Sequence, residues 1–490
     1  LAAPARRRPA LRVCGALLLY AALLGILLTY SRVGVVLAVL GAGLWVLLER
    51  DRIGSLAAAA VAAPPAVGVF LWALALPGVT DADQSHARRV ADGWRFGLVL
   101  VAGAVLVAGA AWLLVRREAR EPLAPSAERR VTGIAAVVAA VALLVGVVVA
   151  GVEASTLWHD FATSAQVPNT KVRLGTVNSG NRWTWWREAW HGFTSHPLGG
   201  TGAGSFGRWD RYLHRSTVRA VDPHNTALQF LSELGIVGFL LLAGAVAAAA
   251  LGITRARARS DPSERPAVTA LALGLLVWLL HLLVDMDWRF LAVQAPFLVV
   301  AGALLGAPVP AEGRRQSPRR LVLAAATGAF ALVAVYSLAA PWLGRREVRE
   351  GAKAAFTSGP AAAVDHFRRA RTYDPLSVDA LTDWAALETG AGNLDSARSL
   401  LRKALSIEPH NSDTWFQLGD LELYKGHRFV DAYVALNNSY TWDEFGPAAQ
   451  RCGDLDVARR IVLRAGPTCP RQVRAVLRAA GLGAGRRAAP

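Results

Sequence analysis

The sequence predicts an all-α integral membrane protein, in which a polytopic helix bundle is followed by an α-helical repeat domain. Three observations predict this fold. Only 18% of the 490 residues are charged, whereas an ordinary soluble domain carries about 25%. Long apolar blocks alternate with short arginine-rich patches up to about residue 341. Beyond Gly344 these blocks end, and a soluble, helical pattern of mixed charge begins.

The apolar blocks have the length that a membrane crossing requires. A helix needs roughly 20 apolar residues to cross the hydrocarbon core, because its backbone groups must form hydrogen bonds with one another there. Helices of soluble proteins rarely stay apolar on every face for so long. We predict nine spans, at residues 13–30, 33–48, 55–77, 95–115, 131–151, 228–253, 267–284, 290–307 and 321–341.

The distribution of arginine predicts the orientation of these spans. With a cytoplasmic N-terminus, 19 arginines fall in the inside segments and four in the short outside loops. Positive residues concentrate on the cytoplasmic side of bacterial membranes. The 152–227 loop, the helix tip at Ser31-Arg32 and everything after Pro341 are therefore expected to lie outside the cytoplasmic membrane.

The net charge of +17 does not indicate a nucleic-acid-binding protein. Its arginines cluster between apolar blocks, where they orient a membrane protein. We expect membrane lipids, and no nucleic acid, among the partners of the chain.

These patterns predict five regions. They are N-terminal transmembrane helices (1–151, five spans), an extracytoplasmic loop with the candidate active site (152–227), C-terminal transmembrane helices (228–341, four spans), helical repeats (345–450), and a helical cap with a basic tail (451–490).

The repeats have a period of 34 residues. Four positions recur at that spacing: Ala363, Phe367, Ala370 and Pro375 return as Ala397, Leu401, Ala404 and Pro409. This period resembles that of tetratricopeptide repeats, with a weaker third unit near Asp431. The resemblance implies a possible envelope protein partner, although ordinary helical hairpins without a peptide groove remain an alternative.

Two features at the ends of the chain leave alternatives open. Leu1 is not a methionine and Met286 is the only one, so we expect that the sequence begins inside a longer protein or at an unusual start codon. Cys452 and Cys469 lie in the predicted extracytoplasmic tail, where disulfides persist. The sequence does not decide whether they form a bridge.

A glycine pattern in the 152–227 loop invites a nucleotide-binding interpretation. Gly202, Gly204 and Gly207 form GxGxxG, with Asp222 further on. That fingerprint requires a preceding strand and a helix that opens from it within a parallel sheet. Neither is predicted here, so we interpret the glycines as a tight turn against the membrane surface and predict no cofactor.

Several motifs of the chain, taken in order, point to one family. They are Ser31-Arg32-x-Gly34 at a helix tip, the Arg182…Trp186…Ala189 stretch, Pro197-Leu198-Gly199-Gly200-x-Gly202-x-Gly204-x-Phe206, and His224-Asn225 followed by Gly235-Ile236-Val237-Gly238. Together, on this topology, they resemble the O-antigen ligase and O-antigen polymerase family of bacterial envelope enzymes. The resemblance covers about residues 13 to 306. The chain has fewer spans than the family.

The resemblance implies transfer of a glycan from an undecaprenyl-diphosphate carrier to an acceptor hydroxyl of a glycan or protein. It implies His224 as general base, since the pKa of histidine lies near working pH. Arg182, which is expected to be catalytic together with His224, and Arg187 and Arg32 are the expected diphosphate-binding residues, because one guanidinium group can donate two hydrogen bonds to phosphate oxygens. We add Arg211 and Arg215 as weaker diphosphate candidates, and Asn225, Gly235 and Gly238 as supporting residues. We predict a metal-independent mechanism.

Structural interpretations compete with several of these roles. Asn225 is a suitable helix N-cap, and Arg182 and Arg187 could only anchor the loop to lipid phosphates. The loop tryptophans, Trp183, Trp185, Trp186 and Trp190, are typical of an interfacial belt, with sugar stacking as the alternative. Near the outer end of a span, His281, Asp285 and Asp287 could orient the acceptor or form a local pair.

Two other classes of function remain open. A transporter of lipid-linked glycan is expected to carry ionisable residues in mid-span, whereas here they lie at span ends. A non-catalytic scaffold would use the repeats to gather envelope enzymes. Within the enzyme class, polymerisation, ligation and protein glycosylation are not distinguished by the sequence.

Overall fold

The computed structural model describes residues 9–49, 51–120, 151–163, 171–213, 218–306 and 318–451, with isolated positions in 133–148 and 454–462. Within these ranges the chain is helical and contains no β-strand, which confirms the predicted all-α fold. Contacts divide the chain into two compact units. The first comprises residues 1–204 and 222–308, and the second comprises residues 205–221 and 309–490.

The helices of the first unit are α1 Pro9–Leu28, α2 Arg32–Leu48, α3 Arg52–Ala73, α4 Pro77–Thr80, α5 His86–Arg120, α6 Ala154–Ala162, α7 Arg182–Ser195, α9 Thr226–Arg259, α10 Arg265–His281 and α11 Leu291–Leu305. Those of the second unit are α8 Phe206–Leu213, α12 Pro318–Thr357, α13 Pro360–Tyr373, α14 Asp379–Gly390, α15 Leu394–Ile407, α16 Ser412–Tyr424, α17 Phe429–Trp442 and α18 Pro447–Gln450. Short 3-10 turns form at Lys171–Gly175 and Asp287–Arg289.

Five of these helices are long and apolar enough to cross a membrane: α1, α3, α5, α9 and α12. Three shorter apolar helices, α2, α10 and α11, coincide with further predicted spans. The predicted span 131–151 lies outside the described residues, apart from isolated positions. The chain is a multi-pass membrane protein, while the predicted count of nine spans is not confirmed.

The core of the first unit lies where α1, α3 and α5 pack together. Tyr20 and Leu24 of α1 are buried against Ala62 and Ala66 of α3 and Val107 of α5. The Tyr20 hydroxyl donates a hydrogen bond of 3.0 Å to the carbonyl oxygen of Leu100. A polar atom in an apolar core is costly unless it is hydrogen-bonded, so this bond allows Tyr20 to pack there.

Helix α9 is broken at Gly235, and a turn of the loop enters the break. Gly235 has φ 64° and ψ −165°, far from helical values. In a continuous helix the N–H of Ile236 would donate to the carbonyl oxygen of Ser232. Instead it donates to the carbonyl of Pro197 at 2.8 Å, and Ser232 accepts from the N–H of Thr201 at 2.8 Å. The loop thus satisfies the backbone groups that the break releases.

The second unit contains antiparallel helix pairs that follow the 34-residue period. Ala363, Phe367 and Ala370 are at most 2% exposed. Their counterparts one period later, Ala397, Leu401 and Ala404, are equally buried. The recurring small and apolar residues are therefore those that let one helix pack on the next, as the period predicts.

A buried ion pair joins α15 to α16 in the repeats. Arg398 Nη2 donates to Glu422 Oε2 at 3.0 Å, and the Glu422 side chain is fully buried. Arg398 also bonds Asp395, whose side chain is 99% exposed. Removing one partner of a buried pair leaves an unpaired charge away from water, which is far more costly than losing an exposed partner.

We expect Glu422→Ala to destabilise the repeats by about 3 kcal/mol, because it leaves the Arg398 guanidinium buried without its main partner. Thermal unfolding followed by circular dichroism measures this loss. Asp395→Ala is the matched control on the same arginine and is expected to have little effect. Equal loss in both variants would contradict the argument.

We expect Gly235→Ala to lower stability by at least about 3 kcal/mol, because a side chain there is strained and collides with the loop. A Cβ at Gly235 would lie 2.2 Å from the Leu198 carbonyl oxygen. Gly244→Ala, on the same helix with nothing within 4 Å, is the control and is expected to cost nothing. The unfolding temperatures of the two variants are measured in detergent. Equal values would contradict the interlock, by which we mean the insertion of the loop turn into the break of α9.

Candidate active site

A cavity of about 390 Å³ lies in the first unit, between the tip of α1 and α2, the start of α7 and the end of α10. One side is basic and polar, and the rest is apolar or aromatic. The lining residues are Arg32, Val33, Phe161, Leu174, Gly175, Thr176, Val177, Asn178, Ser179, Arg182, Trp186 and Val284.

Arg32 is positioned by the sharp turn between α1 and α2. Tyr30 has a left-handed backbone with φ 53°, and Ser31 caps α2 by accepting the N–H of Gly34 at 3.0 Å. These two residues end one helix and start the next within three positions. The guanidinium of Arg32 then donates to the Asn178 carbonyl oxygen at 2.7 Å, which holds it at the cavity.

Arg182 is the first residue of α7. The preceding residues Gly180 and Asn181 adopt left-handed backbones, with φ 65° and 71°, and turn the chain into the helix. Arg182 Nη2 donates to Asp285 Oδ2 at 2.8 Å. Its Nε is buried and has no hydrogen-bond partner among the described residues. A buried donor without an acceptor is costly, so this nitrogen is an unsatisfied polar atom at the edge of the site.

Arg173 is a third arginine at this site, and no sequence motif pointed to it. Arg32, Arg173 and Arg182 are close enough to repel one another. Burial lowers the pKa of the Arg173 guanidinium, as does the charge of Arg182, while Asp285 opposes the shift. The sequence signal was weak: Arg173 follows Lys171 in the same loop, outside the recognised motifs. Three guanidinium groups beside one aspartate create a strongly anion-attracting region.

An aromatic layer borders the cavity. Phe161 of α6 and Trp186 of α7 line it, and their ring centroids are 6.0 Å apart. Trp183 joins them at 6.3 Å from Phe161 and contacts Trp158 edge-on at 4.9 Å. Half of the Trp158 surface is exposed. The cavity therefore combines a basic side with an aromatic and apolar wall.

His224 is held by Asp222 in a strained turn. Its backbone is left-handed, with φ 52°, a conformation that is uncommon for residues other than glycine. The ring nitrogen Nδ1 lies 3.2 Å from Asp222 Oδ1, and the backbone N–H donates to the same oxygen at 3.0 Å. Asp222 Oδ2 accepts from Arg289 Nη1 at 2.9 Å. Functional residues often occupy such sparsely populated conformations.

Asp222 remains ionised in this arrangement. Burial alone would raise its pKa, but hydrogen bonds from His224 and Arg289 lower the pKa to about 2. An ionised carboxylate beside Nδ1 favours the tautomer that carries its proton on Nδ1 and leaves Nε2 as an acceptor. Among the described residues, Nε2 has no hydrogen-bond partner.

Helix α7 links the arginine cavity to His224. Trp185, one turn after Arg182, stacks on the His224 ring with centroids 4.9 Å apart and planes at 25°. Trp185 is itself 7% exposed, so the stack is well packed. This contact had not been predicted, because tryptophans at this spacing indicated only a belt or a sugar platform.

The other predicted residues occupy different positions. Arg187 is exposed and does not line the cavity. Arg211 belongs to the second unit, where it pairs with Asp413 at 3.2 Å, and Arg215 lies outside the described residues. Asn225 caps α9 by accepting the N–H of Leu228 at 2.9 Å.

The remaining candidates have structural partners. His281 Nδ1 and Asp287 Oδ2 form a local pair at 2.5 Å, while Asp285 binds Arg182. Gly202 donates its N–H to the Glu233 carbonyl at 2.9 Å, in a turn against α9. Among the described residues no group of three or more His, Cys, Asp or Glu is placed to hold a metal ion. Metal-independent chemistry stays a prediction.

Comparison with known families supports both parts of the predicted resemblance. A family model described as O-Antigen ligase matches residues 90–243, and one described as Tetratricopeptide repeat matches residues 378–421. The two predicted resemblances are thus confirmed. The first match supports a membrane glycan ligase or polymerase activity in envelope polysaccharide biosynthesis. The chain matches no curated protein.

The matched segment does not contain the whole cavity. It includes Arg173, Arg182 and His224, whereas Arg32 and Asp285 lie outside it. Folding brings these two residues to the matched segment from earlier and later parts of the chain. The site is therefore assembled from regions on both sides of the family match.

We expect low pH to remove the contribution that the Asp222 carboxylate makes to the free energy of unfolding. The folded-state pKa of about 2 lies below the ordinary value near 4, so the contribution is complete above about pH 4 and is lost as the pH falls through about 2. Its size is about 2 kcal/mol. The unfolding temperature of Asp222→Asn should therefore lie below that of the unmodified protein at pH 6, and the gap should narrow towards pH 2.

Asp83→Asn provides the control for this pH series, because Asp83 is an exposed residue of the first unit. Its unfolding temperature should follow that of the unmodified protein throughout. A gap for Asp222→Asn that stays constant between pH 6 and pH 2 would contradict the assignment.

Proposed function

We propose that the protein is a glycosyltransferase that moves a glycan from an undecaprenyl-diphosphate carrier to an acceptor hydroxyl on the outer face of the cytoplasmic membrane. The observation that carries this proposal is the arginine cavity, where Arg182 has a buried, unpartnered Nε and begins the helix whose Trp185 stacks on His224. The arginine bias of the connecting segments supports the outer face.

The arginines supply what a lipid-diphosphate leaving group needs. Breaking the sugar–phosphate bond leaves additional negative charge on the diphosphate. Arg32 and Arg182 line the cavity, and Arg173 contributes a third positive charge beside them. Preorganised cations at developing charge lower the barrier because they need no reorganisation during the reaction. Asp285 orients Arg182 through one nitrogen and leaves its Nε for phosphate oxygen.

The rest of the cavity fits the uncharged parts of such a donor. Val33, Leu174, Val177 and Val284 give the wall an apolar surface that suits an isoprenoid chain. The tryptophan and phenylalanine rings beside it offer flat faces for the first sugar. An anionic group flanked by apolar and aromatic surfaces matches a polyprenyl-diphosphate glycan better than a free sugar nucleotide.

His224 is suited to activate the acceptor. With Nδ1 held by Asp222, Nε2 can take the proton of the acceptor hydroxyl. The hydroxyl oxygen then forms a bond to the anomeric carbon as the bond from that carbon to the diphosphate oxygen breaks. The electron pair leaves on the lipid diphosphate, and the proton stays on His224. A single displacement of this kind inverts the anomeric configuration.

The acceptor distinguishes three versions of this function. A sugar hydroxyl at the end of a growing chain gives polymerisation, an envelope lipid or glycan gives ligation, and a protein side chain gives protein glycosylation. Supplying purified protein with an undecaprenyl-diphosphate oligosaccharide and each acceptor in turn separates them by product length and product identity.

We expect His224→Ala to reduce glycan transfer by about 10²- to 10⁴-fold, since the variant lacks the general base. His191→Ala is the matched control, because His191 is an exposed histidine on α7 that does not line the cavity. Transfer is measured with the purified protein after both variants have been shown to insert normally into membranes.

Other outcomes favour the competing functions. Unchanged transfer in His224→Ala would refute the base assignment. Movement of labelled lipid-linked glycan across vesicles without any new glycosidic bond would favour a transporter. Absence of both activities, with binding of envelope proteins to the repeats, would favour a scaffold.

A further inference from the structure

The second unit contains a piece of the 152–227 loop. Residues 205–213 and 218–221, called here the loop segment, belong to the same compact unit as the helical repeats. Helix α8 of this segment packs against α17 of the repeats. The chain therefore uses part of its own loop to cover part of its own repeat domain.

Three ion pairs join the loop segment to the repeats, and all three have the same orientation of charge. Arg208 Nη1 lies 3.3 Å from Glu408 Oε2, and Arg211 Nη1 lies 3.2 Å from Asp413 Oδ2. Arg219 binds Asp443. All the cations are on the loop segment, and all the anions are on the repeats. Glu408, Asp413 and Asp443 lie at the ends of the repeat helices, and we call them the acidic edge.

One of these three pairs, Arg219 with Asp443, forms a buried anchor of the contact. The Asp443 side chain is 5% exposed and also accepts the N–H of Phe445 at 3.0 Å. Tyr212 of α8 packs on Trp442, with ring centroids 5.1 Å apart. Aromatic contact and desolvation strengthen a charge pair that would contribute little if it were fully exposed.

The loop segment is itself folded. Phe206 and Asp210 are fully buried, and Asp210 Oδ2 accepts the N–H of Ala220 at 3.1 Å. This bond ties the start of the segment to its end. A displacement of α8 would thus be passed to Ala220, only two residues before Asp222.

The contact also constrains topology. A loop and a domain that touch must lie on the same side of the membrane. An even number of membrane crossings must then separate them, and the four described apolar helices between them, α9 to α12, would meet this requirement if each crosses once. The contact therefore agrees with the sequence-based expectation that the loop and the repeats share one compartment.

We propose that the acidic edge is the docking site for the chain's own loop segment and that this docking positions Asp222 and His224 for catalysis. Arg208, Arg211 and Arg219 are then positioning residues, and none of them touches the substrate. The proposal rests on the proposed glycosyl transfer for its catalytic part, whereas the docking itself stands on the contacts alone. The acidic edge is covered by the chain's own loop segment, so it is not an open site for an envelope protein.

Charge reversal tests the docking. In the full-length protein, Glu408→Lys with Asp413→Lys places like charges opposite Arg208 and Arg211. Amide hydrogen exchange in residues 205–213 and 218–221 is expected to rise about tenfold, because the segment opens more often. Adding Arg208→Glu and Arg211→Glu restores opposite charges and should return exchange close to its original rate.

The same variants test the positioning role. We expect the reversed variant to lose about five- to tenfold in kcat, measured with an undecaprenyl-diphosphate oligosaccharide, with little change in donor KM. The fourfold variant should recover most of this loss. Asp365→Lys is the control, because Asp365 is an exposed acidic residue of the repeats that pairs only locally with Arg368. Asp443→Asn weakens the buried anchor without a change of size and should raise exchange in the same segment.

The outcomes separate the two proposals. Unchanged exchange in the reversed variant and in Asp443→Asn would overturn the docking. Faster exchange with unchanged kcat would overturn the positioning role. If the unmodified protein transfers no glycan, the proposed function fails, and the exchange data still decide whether the loop segment docks.

Discussion

The arrangement of the site depends on one constraint: backbone hydrogen-bonding groups in a helix near the membrane cannot be left without partners. Helix α9 breaks at Gly235, and the turn at residues 197–202 supplies the donors and acceptor that the break requires. The turn follows α7 directly, so this exchange fixes α7 against α9. Helix α7 begins with Arg182, and its Trp185 stacks on His224 just before α9 begins, so this exchange helps to hold both groups in place.

Two aspartates of the site, Asp285 and Asp222, have different electrostatic roles. Asp285 partly compensates the arginines and orients Arg182, yet it leaves a net positive charge for an anionic ligand. Asp222 keeps its own charge through hydrogen bonds and holds His224. Exchanging these roles would be harmful, because a second carboxylate beside the arginines would weaken their attraction for an anionic ligand, and an unsupported imidazole would lose its preferred tautomer. The site therefore requires one aspartate beside the arginines and a different one beside His224.

The sequence predicted what is encoded in periodic or local patterns. The apolar blocks and the 34-residue period are properties of neighbouring residues, so the helices and the buried positions Ala363 and Leu401 could be predicted. Arg32, Arg182 and His224 were proposed as site residues from motifs. Arg173 was missed because only folding brings it near Arg32 and Arg182, and the pairing of Arg211 with Asp413 joins residues 202 positions apart. No local pattern contains such a contact.

The break at Gly235 has a consequence for how such a protein can diversify. Its partners in the loop are mostly main-chain atoms, which every residue type provides, although the Thr201 hydroxyl also donates to the Ser232 carbonyl oxygen at 3.1 Å. Gly200 and Gly235 have no room for a side chain at this contact. Exposed side chains of this turn can therefore change at little structural cost, whereas loop residues that hold the site, such as Trp185 and Asp222, cannot. The framework that presents Arg182 and His224 can thus be inherited intact while the exposed surface of the loop varies.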